Sequence, residues 1–282
     1  MKTIHYVSPS VWAWRQGRIK LIKESVDWML TLLPFEAAFY EQHDVPVTFV
    51  GHPLADQFPL ENDTYAARQQ LSDILSCSIG QNKMVIACLP GSRQGEVEKI
   101  GDAIWQAMEV LIETHPQLEI LIPALNKQRQ QQIALQLAQY PHLPATIVEG
   151  HSQTVMAAAD CVVMASGTTT LEAMLLKKPM VVVYKKDAFS FWLISRMLKV
   201  DHISLPDLLA GKTIVPELLQ NAATPHAIAN EVSHWLNDSH AVVQLKNEFT
   251  RLHQQLRCNA SATASDVVAT LLLNDTKTHK SI

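Results

Sequence analysis

Between residues 84 and 184, short apolar runs alternate repeatedly with longer amphipathic ones, and this limits the fold more than any other feature of the chain. The apolar runs are Met84–Leu89, Leu118–Ile122, Ala145–Val148, Cys161–Ala165 and Met180–Tyr184. A strand with one wet face alternates polar and apolar residues. A continuous apolar run is a strand covered on both faces, as in a parallel sheet between helices. The intervening segments Glu96–Thr114, Lys127–Gln139, Thr154–Ala159 and Thr169–Lys177 read as helices. In the first, Val97, Ile100, Ile104, Met108 and Leu111 share one face. Repeated β-α units predict an open, doubly wound α/β sheet with ligands at the C-terminal ends of its strands.

The first 50 residues follow the same grammar. Thr3–Val7, Asp27–Leu33 and Val47–Val50 read as strands, and Val11–Ile22 and Phe35–His43 as helices. Three strands are only part of a sheet, so the first Rossmann-like domain is expected to be incomplete. Gly51–Lys83, with Pro53, Pro59 and Gly80 around a polar helix, reads as the connection between halves. From Pro225 onward the chain is helical, over Pro225–Leu236, Ala241–Leu256 and Ala260–Leu273. The expected division is 1–60, 61–240, helices 241–273 packing back on the N-terminal part or on a partner subunit, and a polar, frayed tail 274–282.

With 282 residues, 48% hydrophobic and 18% charged, the chain can bury a sizeable core and is not disordered. A net charge of −4 lacks the basic footprint of a nucleic-acid binder. The four cysteines show no CxxC spacing, and Cys88 and Cys161 fall in strands, where a reduced core thiol is expected. The start has no apolar signal region, and no stretch approaches the ~18 apolar residues of a spanning helix. These features predict a soluble, cytosolic protein with at most peripheral membrane contact.

Only nine glycines occur, and Gly51, Gly91, Gly150 and Gly167 each follow a predicted strand. Two of these loops carry chemistry. In Leu89-Pro90-Gly91-Ser92-Arg93-Gln94-Gly95-Glu96 a strand turns into a helix, offering backbone N–H groups, a hydroxyl and the planar guanidinium of Arg93 to a phosphate. A plain strand–turn–helix explains this segment alone equally well. In Ala165-Ser166-Gly167-Thr168-Thr169-Thr170-Leu171-Glu172, hydroxyls and bare amides open a helix and form a cradle for a diphosphate. Glu172, one turn on, suits the vicinal hydroxyls of a ribose; a helix cap with a dipole-favoured Glu is the alternative. No GxGxxG, Walker lysine, HExxH or DxD occurs, so no metal and no cofactor are expected. His5, His52 and His151 lie near strand ends, where a structural or contact role is favoured over that of a base.

These residues resemble the lipid-A-disaccharide synthase family of GT-B glycosyltransferases. The resemblance runs through HYVSPSVWAWR (His5–Arg15), LPFE (Leu33–Glu36), FVGHPLAD (Phe49–Asp56), LPGSRQGEVE (Leu89–Glu98), ASGTTTLEAML (Ala165–Leu175), FWL (Phe191–Leu193), SLPDLLAG (Ser204–Gly211) and LHQQLRCNA (Leu252–Ala260). It implies two Rossmann-like domains and an inverting transfer of 2,3-diacylglucosamine from UDP to 2,3-diacylglucosamine 1-phosphate, giving the lipid A disaccharide phosphate and UDP. By motif, Gly91, Ser92, Arg93, Ser166, Gly167, Thr168 and Glu172 hold UDP, with Gly150 and His151 beside the uracil. Arg93, Glu172 and Asp207 are carried over as catalytic candidates. Asp207 stands where the family pattern has Asn, and a carboxylate can only accept where an amide donates. The resemblance also implies association with the cytoplasmic face of the inner membrane and a homodimer. The aromatic and basic segment Lys185–Lys199 suits an anionic membrane surface, or an ordinary packed helix. Family members begin upstream of HYVSPS, where the first β-α units and the aspartate base are expected, so no base is assigned here. Two other readings stay open: a catalytically impaired UDP-binding fragment, and another UDP-sugar enzyme such as an epimerase.

Overall fold

The structure is a computed structural model that describes residues 2–81, 83–186 and 201–278, with side chains through Leu273. The described chain divides into two compact units. One takes residues 2–59, 201 and 251–278, the other 60–81, 83–186 and 202–250. Among the described residues the breaks thus fall at 59/60, 201/202 and 250/251, the last within the helix Ser239–Leu256.

The larger unit is a six-stranded parallel sheet of β4 (Val85–Leu89), β5 (Glu119–Ala124), β6 (Ala145–Glu149), β7 (Cys161–Ala165), β8 (Met180–Tyr184) and β9 (Glu217–Leu219). Their order is β6-β5-β4-β7-β8-β9, every pair parallel. The chain winds outward from β4 to β6, then returns to the other side of β4 and winds out through β9. That reversal puts a topological switch point between β4 and β7, where open α/β sheets bind ligands. The continuous apolar runs have the burial expected of them: β4 is buried throughout, as are the first four residues of β7 and of β8.

Helices α4 (Thr64–Leu75), α5 (Gln94–Thr114), α6 (Lys127–Leu137), α7 (Ser152–Ala158), α8 (Thr169–Leu175), α9 (Leu205–Ala210) and α10 (Pro225–Asn237) complete this unit with the first part of α11 (Ser239–Leu256). The stripe on α5 is buried as its spacing requires, with Trp105 among its largest side chains. Trp105 donates its indole N–H to Gln136 Oε1 at 3.0 Å, so the buried polar tip of the ring is satisfied. Cys88 and Cys161 are free and buried, and burial pushes both thiols up, away from the reactive thiolate.

The smaller unit holds a parallel sheet of β1 (Ile4–Tyr6), β2 (Trp28–Thr31) and β3 (Val47–Phe49). Its core joins Val11, Ile19, Met29, Phe39, Tyr40 and Val45. Helices α1 (Ile19–Ser25), α2 (Pro34–Glu41) and α3 (Pro53–Gln57) accompany it, with the end of α11 and α12 (Ala260–Thr278). Residues 11–22 do not form the single helix expected. Two 3₁₀ turns, Ser10–Trp12 and Gln16–Arg18, precede α1, and Arg15 between them is left-handed at φ 52°. Gly17 weakens a helix here, and the Trp12 indole is held by Glu36 Oε1 at 3.1 Å.

The C-terminal segment docks on α3 by polar contacts that periodicity does not reveal. Asp56 accepts from the backbone N–H of Asn259 and Ala260 at the start of α12. The imidazole of His253, wholly buried, bonds the Ala55 carbonyl at 2.8 Å. Gly51 (φ 87°) passes so close that an added Cβ would meet Cys258 Cβ at 2.6 Å, so only glycine fits. The helix α12 runs to Thr278, through part of the stretch expected to be a frayed tail. No helix among the described residues is long and apolar enough to cross a membrane. The Phe191–Leu193 motif and most of the Lys185–Lys199 segment lie outside the described residues.

Candidate functional site

The two glycine loops leave β4 and β7, the strands on either side of the switch point, and line one cavity of about 400 Å³. Gly91, Ser92 and Arg93 form one wall; Ser166, Gly167, Thr168 and Thr169 form another. Gly150 and Ser152, after β6, and Pro123, Ala124 and Leu125, at the end of β5, complete the rim. All belong to the larger unit. Glu172, His151 and Asp207 do not line the cavity.

The Gly91 loop is shaped by a carboxylate. Glu96, at the third position of α5, turns back to accept from the backbone N–H of Ser92 at 3.0 Å and of Arg93 at 3.2 Å. It closes a capping box at the helix start. Gly91 sits at φ 125°, and an added Cβ would meet Glu96 Cβ at 2.5 Å. The Ser92 and Arg93 amides expected to be offered to a phosphate therefore already hold an internal anion. The Arg93 guanidinium bonds Glu96 Oε1 at 3.2 Å, yet 84% of its side chain stays exposed and able to swing onto a ligand.

The Ser166 loop is the opposite case. Among the described residues, the backbone N–H groups of Gly167, Thr168 and Thr169 have no partner. Two hydroxyls are turned inward instead. Ser166 Oγ donates to the Ile203 carbonyl at 3.0 Å, and the buried Thr170 Oγ1 donates to the Gly167 carbonyl at 2.7 Å while accepting from Leu205 N–H. They brace the loop against residues 203–205, leaving amides and the Thr168 and Thr169 hydroxyls for an anion. Unpaired N–H groups converging at a helix start form the donor set that phosphates need.

Glu172, half-buried on α8, accepts from Gln153 Nε2 of α7 at 3.1 Å, so the segment after Gly150 orients it. His151 is exposed and left-handed (φ 51°), opening α7. His52 Nδ1 accepts from Leu54 N–H and caps α3, and His5 is exposed on β1. Asp207 is fully buried in the first turn of α9. Its Oδ1 accepts from Ile214 N–H at 2.9 Å and Val215 N–H at 3.1 Å. Burial pushes the carboxyl up to about 6, against the pull of these N–H groups. Its Oδ1 bonds therefore run to the 214–215 turn, and Oδ2 lies 3.8 Å from His202 Nδ1.

Sequence reading passed over Glu96, Leu125 and Ser152. Glu96 carried a signal, a Glu at the third position of a predicted helix. Leu125 is 65% exposed, and only the fold shows that this apolar side chain stands at the mouth of the cavity.

A 3-2-1-4-5-6 parallel sheet with a cavity at its switch point is a Rossmann-like architecture, and with a second α/β unit in the chain the fold is of the GT-B type. Solved structures share this fold. A glycosyltransferase from Rickettsia africae superposes with TM-score 0.57 at 8% identity, over 90% of this chain and 66% of that one. WaaG, a glycosyltransferase involved in lipopolysaccharide biosynthesis, gives 0.52 at 13% identity, over 85% and 62%. A UDP-GlcNAc 2-epimerase from Neisseria meningitidis, solved with UDP-GlcNAc, gives 0.58 at 15% identity, over 90% and 63%. At such identities the likeness is one of fold alone.

The sequence comparisons go further. The family model for lipid-A-disaccharide synthetase matches residues 1–268. The lipid-A-disaccharide synthase of Alcanivorax borkumensis is 52% identical over 96% of this chain and 70% of that protein, and that of Cellvibrio japonicus 48% over 96% and 69%. The chain belongs to the lipid-A-disaccharide synthase family. It is thus a hexosyltransferase of lipid A biosynthesis, and the family's reaction joins UDP-2,3-diacylglucosamine to 2,3-diacylglucosamine 1-phosphate.

Proposed function

We propose that the cavity between the Gly91 and Ser166 loops binds the UDP of the sugar donor and stabilises it as the leaving group. One observation carries this reading: two strand-end loops flanking the switch point open on a single cavity, and one of them presents three backbone N–H groups without a partner among the described residues. Charge grows on the diphosphate as the glycosidic bond breaks, so donors already in place lower the barrier; removing one such donor typically costs about 3–4 kcal/mol. Gly167, Thr168 and Thr169 supply backbone donors, and Arg93 adds a mobile cation. Glu172 receives the ribose hydroxyls, with Gln153 holding its second oxygen. Leu125, Gly150 and His151 border the base. Asp207 supports the loop from behind rather than touching the reacting atoms.

The smaller unit contributes to the acceptor side. Both substrates carry acyl chains, which keeps them in a bilayer, so the enzyme works as a peripheral protein at the cytoplasmic face of the inner membrane. It works there as a homodimer, which sedimentation equilibrium tests.

Calorimetry with UDP tests the site directly. Arg93→Ala and Glu172→Gln are each expected to weaken UDP binding about tenfold, near 1.4 kcal/mol. Unchanged affinity in both variants would overturn the assignment.

A further inference from the structure

Behind the Ser166 loop three potential ligands converge that no part of the nucleotide site uses. His202 Nδ1 lies 3.8 Å from Asp207 Oδ2, and one ligand atom each of His202, Asp207 and Glu217 falls within 4.8 Å of the others. Asp207 is fully buried, and its Oδ2 has no hydrogen-bond partner among the described residues. An unsatisfied buried carboxylate oxygen is costly and calls for a partner. The Glu217 carboxylate is fixed in place: Oε1 accepts from Ile203 and Ser204 N–H at 3.1 and 2.6 Å, and Oε2 from Ile203 N–H at 3.1 Å. Oε1 thus has both lone pairs engaged, while Oε2 keeps one for a further ligand. The His202 side chain is 20% exposed, leaving a route to solvent for an ion and a water.

We propose that His202, Asp207 and Glu217 form a divalent transition-metal site, of the kind that takes Zn²⁺. One imidazole and two carboxylates are a common donor set for that ion, with water as the fourth ligand. Ligands around tetrahedral zinc lie roughly 3.4 Å apart, so atoms now within 4.8 Å of one another need to close by at most about 1.4 Å. Sequence spacing does not expose the trio, because Glu217 reaches it only through the pairing of the three-residue strand β9 with β8. The role is structural. Ile203 accepts from Ser166 Oγ and Leu205 N–H donates to Thr170 Oγ1, so an ion pinning residues 202–217 also pins the loop that lines the cavity.

The test uses the full chain freed of metal with a chelator, titrated with Zn²⁺ and, as a coloured probe, Co²⁺. The expected result is one equivalent of Zn²⁺, visible d–d bands with Co²⁺, a raised melting temperature, and no comparable binding of Mg²⁺, which demands octahedral oxygen ligands. Asp207→Asn keeps an oxygen for the Ile214 and Val215 amides, and His202→Gln alters a partly exposed side chain, so both are expected to fold. Circular dichroism verifies this, and each should weaken Zn²⁺ by about 100-fold or more. Absence of saturable one-equivalent binding to the parent chain would overturn the proposal. So would undiminished binding in both variants, which would move the ion to other histidines or cysteines.

Discussion

Glu96 Oε2 accepts from the backbone N–H of Ser92 at 3.0 Å, so the loop that should greet a phosphate already embraces a carboxylate of the same chain. The arrangement holds the loop open in a defined shape and also places a negative charge at the cavity wall. The two effects can be separated. Glu96→Gln keeps an acceptor for the amides and removes the charge, and is expected to tighten UDP binding by about two- to fivefold at low salt, an effect that fades as salt screens it. Glu96→Ala removes the acceptor as well and is expected to weaken binding. Calorimetry at two ionic strengths distinguishes these outcomes; equal affinities in all three proteins would deny Glu96 either role.

Gly91 is the other half of that contact. At φ 125° an L side chain is strained, and its Cβ would meet Glu96 Cβ at 2.5 Å and Oε2 at 2.7 Å. Gly91→Ala is therefore expected to cost about 1–3 kcal/mol of local strain and to push Glu96 off the loop. The readouts are a lowered melting temperature and at least about a tenfold loss of UDP affinity. Gly167 makes a control, since an added Cβ there meets nothing within 4 Å. Gly167→Ala should leave stability nearly unchanged.

How much of this was readable in the chain itself depends on whether the cause is local. The runs Val85–Leu89 and Met180–Tyr184 are strands because every residue is apolar, and Gly91 and Ser166–Thr168 follow from strand-then-helix grammar. Their convergence is not local. Seventy-two residues separate Arg93 from Ser166, and only the return of β7 to the free edge of β4 brings the two loops together. The three-residue strand β9, with Glu217 in it, carried no pattern long enough to detect. Residues 11–22 held an apolar spacing close to helical, but the tertiary bond between Trp12 and Glu36 outweighs local propensity there.

Glu36 itself makes the smaller unit sensitive to pH. It is buried, and burial pushes its carboxyl up to about 7 despite the donated N–H groups of Leu33 and Trp12. The folded chain thus holds a proton there that the unfolded chain, with an ordinary value near 4.5, releases. Stability should fall as pH rises from about 4.5 to about 7, by about 3 kcal/mol in all, and level off above. Glu36→Gln, neutral at every pH, is expected to flatten this slope. Urea denaturation followed by tryptophan fluorescence between pH 5 and 8 measures it; parallel slopes in parent and variant would refute the assignment.

Arg68 holds together the end of the central strands opposite the cavity. Its side chain is 5% exposed and donates to the carbonyls of Ala158, Gly80 and Gln81 and to Asp160 Oδ2 at 2.9 Å. Asp160 also accepts from Val85 N–H, so one guanidinium ties α4, the turn before β4 and the start of β7. Replacing it with leucine would strand three carbonyls and a carboxylate together. Asp160 is 40% exposed and can be hydrated, so the loss falls mainly on the carbonyls, at about 1–3 kcal/mol for each one left buried and unmet. Arg68→Lys fares little better, because an ammonium cannot span four acceptors in a plane. Thermal denaturation should show both variants well below the parent chain, Arg68→Leu the lower. Their UDP affinity, measured at a temperature where both remain folded, should stay within about twofold, since the cavity lies at the far ends of the same strands. A large loss of affinity with unchanged stability would instead place Arg68 at the nucleotide.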